Sequence, residues 1–150
     1  SLGPEHPKTL STVNVLACIL DGRGEASQAE VLFRRSCLGL EAALGPEHPD
    51  TSTALGNFAR ILEVQGRRAE ALPLVRRAAA GLESCLGAQH PKTLVVFDRL
   101  ACLLEAQGNF REAETLFKQV VLERESQLGS AHRETLTGVN SLARVYEARG

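Results

Sequence analysis

Apolar residues along this chain recur three and four positions apart, in paired segments separated by a glycine. Leu94, Phe97, Leu100, Ala101 and Leu104 share one side of a helical wheel, and after Gly108 so do Phe110, Ala113, Leu116, Phe117 and Val120. That spacing makes an amphipathic helix, whose apolar stripe must be buried against another element. The pattern predicts helices over 7–22, 26–43, 49–64, 68–85, 91–106, 110–127 and 133–148. The first, third, fifth and seventh are of one type, helix A, and the others of a second, helix B.

Between the helices the chain repeats itself. Leu2-Gly3 returns as Leu44-Gly45, Leu86-Gly87 and Leu128-Gly129, an interval of 42 residues. His6, His48, His90 and His132 keep step, as do Gly24, Gly66, Gly108 and Gly150. A glycine that can take the left-handed conformation ends each helix B, and a proline after the histidine suits the first position of helix A. The histidines are read as caps on helix A; Arg133 in place of proline leaves the start of the last helix less sharply defined. Strict repetition implies stacked units, which bury their faces against neighbours. The repeats run over 2–43, 44–85, 86–127 and, in part, 128–150. The expectation is a single solenoid over 1–150, an excerpt of a longer protein. Pro73 near the start of its helix is expected only to bend it, while Gly39 and Gly81 count as weak points costing about 1 kcal/mol each against alanine.

Small residues form their own columns: Ala17, Ala59, Ala101 and Ala143 in helix A, and Ala29, Ala71 and Ala113 in helix B. Beside them run Leu16, Phe58, Leu100 and Leu142, then Leu20, Leu62, Leu104 and Tyr146, then Phe33, Val75 and Phe117. This alternation resembles the tetratricopeptide repeat. The interval, with Leu-Gly-x-x-His-Pro-x-Thr and Gln-Gly-x-x-x-Glu-Ala, resembles its kinesin light chain type. The resemblance implies an all-α, right-handed α-solenoid of seven helices and about three and a half helix-turn-helix repeats. It also implies a protein-interaction scaffold whose helix A faces line a concave surface that receives a peptide.

Residues turned away from the core columns of helix A are then candidate contacts, among them Ser11, Val15, Cys18, Thr53, Gly56, Val95, Asp98, Cys102, Thr137 and Ser141. An Asn-Asn pair before Leu-Ala is typical of the kinesin light chain type and can hold a peptide backbone with donor and acceptor together. Asn14 and Asn140 match its first member and Asn57 its second. With Arg60, Arg99 and Arg144 as directed donors, these six form the expected groove. Asp21, Glu63, Glu105 and Glu147 make an acidic column at the C-terminal ends of helix A, where the helix dipole disfavours them. They are read either as charges solvated or paired with arginines such as Arg60 and Arg144, three residues earlier, or as an acidic edge favouring a basic or mixed-charge peptide. Two other roles are a rigid spacer and end-to-end assembly through the uncapped helix 133–149. In the latter, Val139, Leu142, Ala143 and Val145 lie partly uncovered.

Composition narrows the chemistry. A net charge of −1 provides no general attraction to nucleic acid or anionic lipid, and no apolar run approaches the roughly 20 residues of a membrane span. The paired Arg34-Arg35 and Arg76-Arg77, with Lys118, are assigned to a solvated convex face, with Glu30–Arg34 and Glu114–Lys118 as helix-surface pairs. Histidines on successive repeats stand on the order of 10 Å apart, too far to share one metal ion. No nucleophile elbow, phosphate loop or zinc-protease motif occurs, so neither catalysis nor a cofactor is expected. Cys18, Cys37, Cys85 and Cys102 form no Cys-x-x-Cys pair; buried free thiols, a reducing compartment and a cytoplasmic location are expected.

Overall fold

The computed structural model describes residues 2–150. Seven α-helices occur among them: α1 (Pro7–Gly22), α2 (Ala26–Leu44), α3 (Pro49–Val64), α4 (Arg68–Leu86), α5 (Pro91–Ala106), α6 (Phe110–Leu128) and α7 (Arg133–Arg149). Every bound lies within one residue of the periodicity. Helix α4 runs unbroken through Pro73.

Each helix A begins in the same way. The histidine before it is extended, and its ring Nδ1 accepts the backbone N–H two residues on: Lys8 to His6 at 3.2 Å, Asp50 to His48 at 3.1 Å, Lys92 to His90 at 3.1 Å and Glu134 to His132 at 3.2 Å. A helix leaves its first four N–H groups without partners inside it, and a side-chain acceptor at the cap satisfies one. Because the cap and not the proline sets the start, α7 opens at Arg133 as sharply as the others. Each helix B stops at a glycine with φ between 90 and 94° and ψ near 160° (Gly45, Gly87, Gly129). This is not the left-handed helical conformation expected of a C-terminal glycine. It is an extended region at positive φ that only glycine occupies without strain.

The helices gather into two compact units, residues 2–87 and 88–150. In the first, α1 packs on α2, α2 on α3 and α3 on α4. Leu10, Ala17, Ala29, Phe33, Ala59, Ile61, Ala71 and Val75 are wholly buried there, and Phe33 stacks on Phe58 with ring centroids 6.5 Å apart. Ser36 donates from Oγ to the Leu10 carbonyl at 2.9 Å, so its buried hydroxyl is satisfied. Gly39 and Gly81 are points of close approach, contrary to their reading as weak points. A Cβ at Gly39 would stand 2.6 Å from a Leu10 methyl, and one at Gly81 would stand 2.4 Å from Ser52 Oγ and 3.2 Å from the Glu47 and Pro46 backbone. The missing side chain lets the turn before α3 lie directly on α4.

In the second unit α6 packs on both α5 and α7, around Phe97, Ala101, Ala113, Phe117 and Val120. Thr135, Gly138, Ser141 and Val145 form the buried row of α7. A Cβ on Gly138 would meet a Val121 methyl at 2.9 Å. Two assignments are corrected: Val145, expected to be partly uncovered, is fully buried, whereas Tyr146, expected in a packing column, is 46% exposed; Ala143 is exposed.

Replacing the cap acceptor by His48→Ala is expected to cost about 0.5–2 kcal/mol in urea unfolding, with His48→Asn recovering most of it. For Gly81→Ala the overpacking of about 1–3 kcal/mol outweighs the gain in helix propensity of about 1 kcal/mol, so the midpoint falls. An unchanged or higher midpoint would mean that α3 and α4 can part freely.

Candidate functional site

In the first unit, Asn14, Cys18 and Asp21 stand four and three residues apart on α1 and therefore share a face. Arg60 on α3 reaches Asp21 across the helix boundary, Nη2 to Oδ2 at 2.8 Å, so this face looks onto α3. Asn14 is 8% exposed, and its side-chain amide makes no hydrogen bond among the described residues, with Oδ1 sealed from solvent. Asn57 stands one turn before Arg60 and is half-buried, also without a side-chain hydrogen bond.

The second unit repeats the arrangement. Asp98, Cys102 and Glu105 share a face of α5, and Arg144 of α7 grips Glu105 with two bonds, Nε to Oε1 at 3.1 Å and Nη2 to Oε2 at 2.9 Å. The Glu105 carboxylate raises the Arg144 pKa further above its usual value, as bidentate pairing does. Arg99 is half-buried and Asn140 exposed.

These contacts revise the reading of the acidic column. Arg60 and Arg144 do not pair with the acids three residues later in their own helices; each turns back to the acid of the helix A before it in its unit. Asp21 and Glu105, whose side chains are 15% and 17% exposed, are therefore neutralised, and Glu147 alone of these acids stands exposed. Other positions assigned to the groove face are buried: Gly56, and Ser141 in the row that packs on α6. The six candidate contacts are divided between the units, with Asn14, Asn57 and Arg60 in the first and Arg99, Asn140 and Arg144 in the second. They supply paired arginines and, at Asn14 and Asn57, amides without partners.

Helix B carries the expected surface pairs, Arg34–Glu30 at 3.1 Å and Lys118–Glu114 at 2.5 Å. A second cation joins each acid, Arg67 on Glu30 at 2.8 Å and Arg149 on Glu114. The hydrogen bond from Arg67, chiefly, holds the Glu30 carboxyl below its usual range. Arg34 lies over the Phe58 ring and Lys118 over Tyr146, at 5.4 and 5.6 Å from the ring centroids. One charged residue escaped the sequence reading: Arg124, 5% exposed, in a helix B column otherwise held by Leu40 and Leu82. That break in an apolar column was its signal.

The cysteines differ from expectation. Cys37 is buried, and burial pushes its thiol up to about 12. Cys85 and Cys102 are exposed and Cys18 is half-buried. No group of three His, Cys, Asp or Glu able to hold a metal ion occurs among the described residues, and no helix there is long and apolar enough to cross a membrane.

Capped helix pairs in strict repetition, with interhelical ion pairs at fixed columns, define a helical-repeat protein. Models of the tetratricopeptide repeat match residues 9–50 and 59–121. Among solved structures, a Podosopora anserina protein described as a kinesin light chain with nearly identical TPR-like repeats is 30% identical. That match covers 97% of this chain and 69% of the other, with a TM-score of 0.84. BtubC from P. vanneervenii shares the fold at 18% identity over 97% of this chain and 58% of its own, with a TM-score of 0.84. The Sgt2 TPR domain of Aspergillus fumigatus does so at 17% identity over 94% and 82%, with a TM-score of 0.63. No curated protein matches the chain. The chain belongs to the tetratricopeptide repeat family, and its repeats are of the kinesin light chain-like type. Repeats of this family generally mediate protein–protein interaction.

A double-mutant cycle of Asp21→Asn with Arg60→Gln is expected to return a coupling of about 0.5–1 kcal/mol, and one of Glu63→Gln with Arg60→Gln close to none. Equal couplings would restore pairing within the helix. In a separate measurement, iodoacetamide at neutral pH is expected to modify Cys85 and Cys102 in the folded protein and Cys37 only after unfolding, since burial keeps that thiol protonated.

Proposed function

We propose that this chain is a non-enzymatic scaffold that receives a peptide segment of a protein partner along its helix A faces. The observation that carries the proposal is the Asn14 amide, nearly buried on the face of α1 that looks onto α3, and without a partner. A buried amide left unpaired costs about 1–3 kcal/mol, which folding alone does not recover. A peptide main chain offers both the donor and the acceptor that an asparagine lacks, and a half-turn of the amide about χ2 brings either of its ends outward. Asn57 supplies a second amide on α3. In the second unit Arg144, fixed by Glu105, keeps Nη1 for a ligand carbonyl, with Asn140 one turn away. The neutralised acids favour a peptide of mixed charge over a strongly basic one. A cytoplasmic setting accords with four cysteines left as free thiols.

The test is a peptide array spanning acidic, basic and neutral sequences, probed with the wild-type chain, with Asn14→Ala and with the triple variant Arg60→Ala/Arg99→Ala/Arg144→Ala. Asn14→Ala is expected to raise stability by about 1 kcal/mol, through removal of the unpaired amide, and to weaken the best peptides by about tenfold. The triple variant is expected to lose them. Peptides held equally by all three proteins would move the site off the helix A faces.

A further inference from the structure

Arg124 is the one charged side chain of the described residues that is nine-tenths buried, and its surroundings leave it incompletely served. Its Nη1 donates to Asp98 Oδ2 at 3.5 Å and to the Glu134 carbonyl at 3.4 Å, and its Nε lies 3.7 Å from Glu134 Oε2. Nη2 has no hydrogen bond among the described residues. Good charge-assisted bonds run at about 2.7–2.9 Å, so none of these contacts is a firm one. A guanidinium does not lose its proton, and the charge therefore stays.

The same side chain lines an open cleft of about 300 Å³ in the second unit, between the starts of α5 and α7 and the end of α6. Pro91, Leu94, Val95 and Leu128 form its apolar wall, and Lys92 adds a second cation. Glu134, whose side chain is 58% exposed, stands at the rim. In the first unit the corresponding places are held by Leu40 and Asn14, so an arginine under helix A is no requirement of the repeat.

We propose that this cleft is a subsite for an aspartate or glutamate side chain of the bound peptide, received by Arg124 and Lys92, and that Glu134 occupies Arg124 until the ligand carboxylate displaces it. The charges require that order. With Glu134 in place, Arg124 and Lys92 are balanced by Asp98 and Glu134. With Glu134 swung into solvent, one positive charge is left over, and one incoming carboxylate cancels it. The apolar wall takes the methylenes that carry the carboxylate. This deepens the peptide-binding reading, on which it rests for its partner, and it concerns a different helix from Asn14.

The experiment uses a single-residue probe, so that its outcome is independent of the peptide array. Acetyl-glutamate N-methylamide is titrated into the chain while the Arg124 Nε–Hε resonance and the Val95 methyls are followed by NMR. Saturable shifts are expected, with none from the glutamine analogue. Glu134→Gln should tighten the probe by about two- to fivefold, the worth of one exposed ion pair. Arg124→Leu, made together with Asp98→Asn so that no carboxylate is left without its cation, reproduces the Leu40 and Asn14 of the first unit, so it should fold with stability near that of the wild type and lose the shifts. Three results would each overturn the proposal: no saturable shift in either the wild type or Glu134→Gln, shifts that persist in Arg124→Leu/Asp98→Asn, or equal binding of the glutamine analogue. Tighter binding of acetyl-valine, which carries a free α-carboxylate, would also overturn it by assigning the cleft to a chain terminus.

Discussion

Each helix A in this protein depends on one hydrogen bond, from a backbone N–H to a histidine ring nitrogen two residues earlier. The bond takes up one of the N–H groups that a helix start leaves unserved, and it holds the histidine extended, so that the chain enters every helix A from the same direction. A glycine at positive φ fixes the other side of the same turn. Between them the exit from helix B and the entry to helix A are set locally, before any long-range packing. Repeats with the same local geometry then bury the same columns within each unit, Ala17, Ala29, Ala59 and Ala71 with Phe33 in the first and Ala101 and Ala113 with Phe117 in the second.

The helices and their bounds were legible because the period of the apolar residues and the turn residues agreed at every boundary. The neighbours across helices were less legible. Periodicity places Asp21 and Arg60 on helix faces, but it does not say which helix lies opposite, and the nearest acid in sequence proved to be the wrong partner. Asn14 and Ser141 were assigned to an open face for the same reason, since burial there depends on a second helix that a helical wheel does not contain. Gly39 and Gly81 were judged by propensity alone, whereas their meaning lies in the turn packed against them. Arg124 was visible as an interruption in a leucine column, and only the packed structure shows that it faces Asp98 and Glu134.

Stability and recognition make opposite demands on the same surfaces. The buried leucine, valine and phenylalanine columns could exchange residues of similar volume at modest cost. The helix A faces instead hold an unpaired amide, oriented arginines and partly buried acids, none of which is the most stabilising choice at its position. Such departures from local consistency are where binding is expected to reside.

The ion pairs follow a longer rhythm than the helices do. Arginine occupies its helix A column in the second and fourth repeats only, with cysteine in the first and third; Glu30 and Glu114 likewise recur at every second repeat, with Leu72 between them, although the cation four residues on is present each time as Arg34, Arg76 and Lys118. The helical period thus has one repeat, while the electrostatic period has two. An ancestral duplication that copied repeats in pairs would leave this signature. Copying or deleting pairs keeps this alternation, whereas losing a single repeat would set two arginine-bearing or two cysteine-bearing A helices next to each other in the sequence, although an acid (Asp21, Glu63, Glu105, Glu147) is present in every one.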